Sequence, residues 1–150
     1  MISAEKPVHI LLVEDSSDDV FFFRRAIQKC GVSAEIHVAA DGLEAKDYLL
    51  GKGQFGDKTA HPKPDIVFLD LKLPHINGFE VLEWMKLHTE CPRVPIVVLT
   101  SSSHPEDQER AESLGALLYL TKPLTPEQLR QVLQRSSLAR PTGSNAGEQT

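Results

Sequence analysis

A chain of 150 residues is the size of one domain, and its 41% apolar and 25% charged residues are ordinary for a globular protein with a buried core. The net charge of −5 argues against nucleic acid as the main partner, because a phosphate backbone calls for a basic face. No stretch approaches the roughly 18 consecutive apolar residues of a membrane span, and Met1-Ile2-Ser3-Ala4-Glu5-Lys6 lacks the apolar stretch of a signal peptide, so no membrane partner and a cytoplasmic location are expected.

Apolar runs alternate with amphipathic stretches along the chain. Val8–Val13 reads as a strand, continuous and bounded by Pro7 and Glu14. Ser17–Lys29 reads as a helix, capped by Ser16 or Ser17, with Asp18 and Asp19 at its positive dipole end. Its inward stripe is Phe23, Ala26, Ile27 and Cys30, which leaves Phe21, with Val20, pointing outward. Glu35–Ala40 is a short strand, and Gly42–Leu50 a helix carrying Leu43, Tyr48, Leu49 and Leu50. Gly51–Pro64 is a loop, long for a helix-to-strand connection.

Asp65–Asp70 is the central strand, fully apolar until its last residue. Asn77–His88 is a helix with Phe79, Val81, Leu82, Met85 and Trp84 inward. Pro95–Thr100 is a strand. Pro105–Leu114 is a thinly apolar helix, begun by proline and closed by Gly115. Leu117–Leu120 is the last strand. Thr125-Pro126-Glu127-Gln128 is a capping box that opens a final helix through Leu129, Val132 and Leu133. Five strands alternating with five helices predict a parallel α/β sheet covered on both faces. Residues 1–7 read as an N-terminal extension, 8–135 as the domain and 136–150 as a flexible tail. That tail is too short for a DNA-binding module, so no output domain is expected.

Cys30 and Cys91 are two and far apart, which indicates neither a disulfide framework nor a zinc site. The six histidines form no i, i+4 pair and read as surface or loop residues. Gly51-Lys52-Gly53 follows a helix and lacks the spacing of a phosphate loop. Asp18 and Asp19 read as helix-start electrostatics.

The chemistry lies at the strand ends. Strand one ends in Glu14-Asp15, strand three in Asp70, strand four in Thr100, and strand five leads to Lys122-Pro123. The flavodoxin-like order 2-1-3-4-5 makes strands one and three neighbours, with the ligand-binding switch point between them. Three adjacent carboxylates repel unless one takes up a proton or a cation intervenes. Mg²⁺ suits such oxygen ligands, and a carboxylate beside it can accept a phosphoryl group. Lys122, Thr100 and the cation would then each face one phosphoryl oxygen.

These residues are also a family signature. Glu14-Asp15, Leu-Asp70-Leu-Lys-Leu-Pro74 with Gly78, Leu-Thr100-Ser and Tyr119-Leu-Thr-Lys122-Pro123 resemble the receiver domains of two-component response regulators. The gaps of thirty residues from Asp70 to Thr100 and fifty-two to Lys122 match as well. The resemblance covers roughly Val8 to Arg135.

It implies a (βα)5 fold with Asp70 as phosphoacceptor for a sensor histidine kinase. It implies Asp15 as a direct Mg²⁺ ligand, Glu14 as a direct or water-mediated one, and the Lys72 carbonyl as a further ligand. Thr100 and Tyr119 would form a switch pair, with Tyr119 turning inward on phosphorylation. The Lys122–Pro123 bond would be cis. Lys72 and Ser102 would tune hydrolysis of the acyl phosphate. Glu14 stands where Asp is commoner, and Ser101 where a smaller residue is commoner.

In such domains the kinase docks on the first helix, which makes Val20 and Phe21 candidate contacts. The fourth helix, fifth strand and fifth helix would carry the activated-state contact, as a homodimer. The single-domain length and long loop also resemble the small regulators that serve bacterial phytochromes, which implies a phytochrome-type kinase. No turnover of an external substrate is expected: an Asp-nucleophile phosphohydrolase would carry its acid at position 72, where Lys72 stands. The alternative is an unphosphorylated pseudo-receiver that only binds a partner.

Overall fold

The computed structural model describes residues 6–135; the expected tail, 136–150, lies outside the described residues. Five strands form one parallel sheet: β1 (Val8–Val13), β2 (Ala34–Ala39), β3 (Ile66–Leu69), β4 (Ile96–Thr100) and β5 (Leu118–Thr121). Their order is β2-β1-β3-β4-β5, as expected. The helices are α1 (Ser17–Cys30), α2 (Gly42–Leu50), α3 (Gly78–Leu87), α4 (Pro105–Ser113) and α5 (Pro126–Arg135).

Two cores flank the sheet. Phe23, Ala26 and Ile27 of α1 and Leu129, Val132 and Leu133 of α5 pack on Ile10, Leu12, Phe68 and Leu99. Tyr48 and Leu49 of α2, Val81 and Leu82 of α3 and Ala111 of α4 pack on Leu11, Val13, Leu69 and Val98. The alternation of strand side chains divides them. β3 is buried at all four positions because helices cover both its faces.

Caps set the helix starts beside the site. The Asp19 amide donates to Ser16 Oγ at 3.2 Å. Asn77 and Glu80 form a capping box at the start of α3. The loop 51–64 contains a short 3-10 turn, Gly53–Phe55, which seats Phe55 in the core against Tyr48. The Tyr48 hydroxyl donates to the Pro62 carbonyl at 2.9 Å, so the loop is fastened to α2.

Val20 departs from the expected outward placement. It is half-buried and packs on the α1–α5 core. Val20, Phe23, Ile27 and Cys30 lie at offsets of three, seven and ten, one helical stripe. Phe21 and Phe22 are the exposed pair, at 54% and 61%.

Candidate functional site

Parallel strands bring their carboxyl ends to one edge, and the polar residues ending β1, β3, β4 and β5 meet there. Asp70 follows β3, buried to 6% exposure. Its amide donates to the Val13 carbonyl at 3.1 Å, which ties it to the end of β1. Ligand oxygens of Glu14, Asp15 and Asp70 all lie within 4.8 Å of one another. Glu14 is buried and Asp15 exposed.

Gly78 explains its place in the motif. A Cβ there would stand 2.4 Å from the Asp70 carbonyl oxygen and 2.7 Å from Leu71 Cα. Only glycine lets the start of α3 close on the loop that carries Asp70.

Lys122 reaches across the edge from the loop after β5. Its ammonium donates to Asp19 Oδ2 at 2.6 Å, Glu14 Oε1 at 2.7 Å and Asp70 Oδ2 at 3.1 Å. The Lys122–Pro123 peptide bond is cis. Burial alone would push the Lys122 ammonium down. Hydrogen bonds to Asp19 and Glu14 and the charge of Asp70 outweigh it and hold it above its ordinary range. Burial pushes the Glu14 carboxyl up despite its bond to Lys122, and the neighbouring Asp70 adds to the rise. The longer arm of Glu14 serves two bonds, since its Oε2 also accepts from the Ser16 amide at 3.2 Å.

Asp19 has a task beyond helix-start electrostatics. It sits in the first turn of α1 with its carboxylate on Lys122. No local pattern announces this pairing, because Lys122 lies 103 residues further along the chain.

Thr100 is fully buried at the end of β4. Its Oγ1 accepts from the Ser102 amide at 3.4 Å, and the Tyr119 hydroxyl donates to the Ser102 carbonyl at 2.8 Å. Ser102 therefore bonds Thr100 through its amide and Tyr119 through its carbonyl. Its own hydroxyl donates to Asp107 on α4 at 2.6 Å. Tyr119 is half-buried against the α2–α4 core. Lys72 is exposed, and its amide donates to Asp70 Oδ1 at 3.3 Å. Val20 and Phe21 lie on α1, outside this cluster.

Three carboxylates, Glu14, Asp19 and Asp70, thus face one ammonium, with Asp15 beside Glu14 and Asp70. Within this pocket Glu14, Asp15 and Asp70 could hold a divalent cation, and such a donor set suits Mg²⁺ or Mn²⁺. Beside the site, a cleft lined by Leu12, Phe22, Leu99, Lys122 and Leu124 opens between α1 and the loop after β5.

A doubly covered parallel sheet with an acidic pocket and a lysine at its carboxyl edge defines a receiver-type α/β protein. The response regulator receiver domain family matches residues 10–134, and the chain belongs to it. The probable methanogenesis regulatory protein FilR2 of Methanothrix harundinacea is 36% identical over 89% of this chain and 84% of its own. Response regulator Rcp1 of Synechocystis sp. is 34% identical over 85% of each chain. The solved Mn²⁺-bound form of Rcp1 superposes with a TM-score of 0.72, at 32% identity, over 93% of this chain and 100% of that one. The bacteriophytochrome response regulator AtBRR superposes with a TM-score of 0.78, at 34% identity, over 94% and 100%.

Proposed function

We propose that this chain is a two-component response regulator that accepts a phosphoryl group on Asp70 from a sensor histidine kinase and signals by a change of conformation. The observation that carries the reading is the convergence of three carboxylates within 4.8 Å and the Lys122 ammonium 3.1 Å from Asp70. Mg²⁺ held by Glu14, Asp15 and Asp70, with the Lys72 carbonyl as a further ligand, would supply positive charge against the phosphoryl oxygens. An Asp70 carboxylate oxygen attacks phosphorus, and the bond from phosphorus to the kinase imidazole breaks as the new P–O bond forms. Lys122 neutralises one phosphoryl oxygen, and the Thr100 hydroxyl donates to another. Attack of water on the acyl phosphate returns the carboxylate and releases inorganic phosphate.

Ser102 gives this reading a route outward. When Thr100 turns toward the phosphoryl group, the Ser102 amide loses its acceptor. The Tyr119 hydroxyl and Asp107 on α4 are bonded to the same residue. The event at Asp70 thereby reaches the α4–β5–α5 face, our candidate for a homodimer or downstream contact. On the input side, Phe22 of α1 lines the cleft beside Lys122, and with its exposed neighbour Phe21 it forms the kinase contact. Relatives named as bacteriophytochrome response regulators favour a phytochrome-type kinase.

Intact mass after incubation with acetyl phosphate and Mg²⁺ tests the central step. The expected result is a gain of one phosphoryl group in the wild type and none in Asp70→Asn or without Mg²⁺. An equal gain in Asp70→Asn overturns the assignment, and no gain in the wild type leaves a binding module.

A further inference from the structure

Three side chains at the other edge of the sheet have no part in this chemistry. His9 is the second residue of β1, and Glu35 and His37 are the second and fourth of β2. The register sets His9 directly beside Glu35, and alternation puts His37 on the same face. His9 Nδ1 stands 3.3 Å from His37 Nε2 and 3.6 Å from Glu35 Oε1, and His37 Nε2 stands 4.0 Å from Glu35 Oε1. The point equidistant from three atoms with these separations lies about 2.1 Å from each, the length of a zinc–imidazole bond.

The geometry points to a second cation site here, formed by His9, Glu35 and His37, that takes a borderline transition ion such as Zn²⁺. Two imidazoles and one carboxylate are the donor set of three-ligand zinc sites that keep an open position. Imidazole selects Zn²⁺, Cu²⁺ or Ni²⁺, whereas Mg²⁺ takes oxygen ligands. The site is distinct from the acidic pocket: Glu14 lies five residues beyond His9, about 16 Å along the strand.

The ligands are held in place before any ion arrives. All three stand on paired strands rather than loops. The His9 amide donates to Asp65 Oδ2 at 2.8 Å, and the Asp65 amide donates to the His9 carbonyl at 2.7 Å, which fixes the His9 backbone. The His37 ring is backed by Tyr48, 5.8 Å between centroids, and His61 stands edge to face with the Tyr48 ring at 5.7 Å. His37 is mostly buried, His9 partly, and Glu35 exposed, so the ion has a way in from solvent. Burial and the facing His9 favour the neutral form of His37, the form that ligates a metal. Without an ion, a neutral imidazole can fill the gap by donating to its neighbour across 3.3 Å.

An ion here would join the edge strand β2 to β1. The probe is Zn²⁺, added to the full chain by equilibrium dialysis in excess Mg²⁺, which occupies the oxygen site. One zinc per chain is expected, with a rise in the thermal midpoint. Both should disappear in His9→Gln and in His37→Ala, with affinity falling more than about 100-fold, beyond the cost of losing an outer-shell partner. Asp15→Asn should keep both. Circular dichroism checks the fold of each variant, and two variants on different strands keep the test decisive if one fails to fold. No zinc in the wild type, or equal uptake in the folded histidine variants, overturns the site. Neither result bears on phosphorylation of Asp70.

Discussion

Lys122 is a counter-charge for Glu14, Asp19 and Asp70 at once. Removing it strands three carboxylates around a buried gap. Lys122→Met is therefore expected to cost about 2 kcal/mol in Mg²⁺-free urea unfolding, below the full cost of a broken buried pair because Asp19 is partly solvated. Added Mg²⁺ should recover part of that loss, and an equal deficit with and without Mg²⁺ would show that repulsion is not its cause. Tyr48 gives a pH test away from the site. Burial pushes its phenol from 10.0 up to about 12. Between those values the unfolded chain ionises first, so this residue's contribution is whole below pH 10 and declines as pH rises, at about 1.4 kcal/mol per unit. Tyr48→Phe should cost about 1 kcal/mol at neutral pH through the lost bond to Pro62. That deficit should shrink in unfolding curves measured from pH 9 to 11, because the phenylalanine variant has nothing there to ionise. Lys122 titrates in both proteins and cancels.

The close approach of α3 to the loop after β3 helps to set the backbone at Asp70, beside the bond from its amide to Val13. Gly78→Ala would drive a methyl into the Asp70 carbonyl and Leu71, both backbone and unable to swing aside. A loss of about 1–3 kcal/mol is expected by thermal or urea unfolding, together with slower phosphorylation by acetyl phosphate. A destabilised variant that phosphorylates at the wild-type rate would show that the loop holds Asp70 without α3. The sequence made the strands legible because each is a short, nearly continuous apolar run. It made two caps legible because Ser16 and Thr125 stand at fixed offsets from helical stripes, whereas Asn77 reads as the first helical residue and caps α3 instead. Asp70, Glu14, Asp15 and Lys122 were legible as strand ends in a known order. Three features were not. Phe55 lies in a polar, glycine-rich segment, where a 3-10 turn has no periodicity to announce it. The pairing of Asp19 with Lys122 spans 103 residues and depends on the crossing of α1 past the β5 loop. His9 and His37 lie 28 residues apart, and only the β1–β2 register brings them together. Local pattern carries no such information.

At the scale of the molecule, inputs and outputs must enter through surfaces, and these differ in kind. The α4 helix is mostly charged and polar outside its one buried alanine, and Leu117 is the large exposed apolar residue near it. On the other side of the sheet, Phe21 and Phe22 stand together on α1, exposed and edge to face at 5.6 Å, and Phe22 lines the cleft that Lys122 also lines. Exposed neighbouring aromatics contribute nothing to the core, since Phe23 and Val20 fill the inward stripe. Their removal should leave folding stability within about 0.5 kcal/mol. If a kinase domain seats on them, the same change slows phosphotransfer from a phosphohistidine protein and leaves phosphorylation by acetyl phosphate alone, because a small donor needs the pocket but not the rim. Phe21→Ala/Phe22→Ala, assayed with both donors, separates the two. Equal rates with the protein donor before and after substitution would remove α1 from the docking surface, whereas equal slowing with both donors would place the pair in the chemistry of the pocket rather than in recognition.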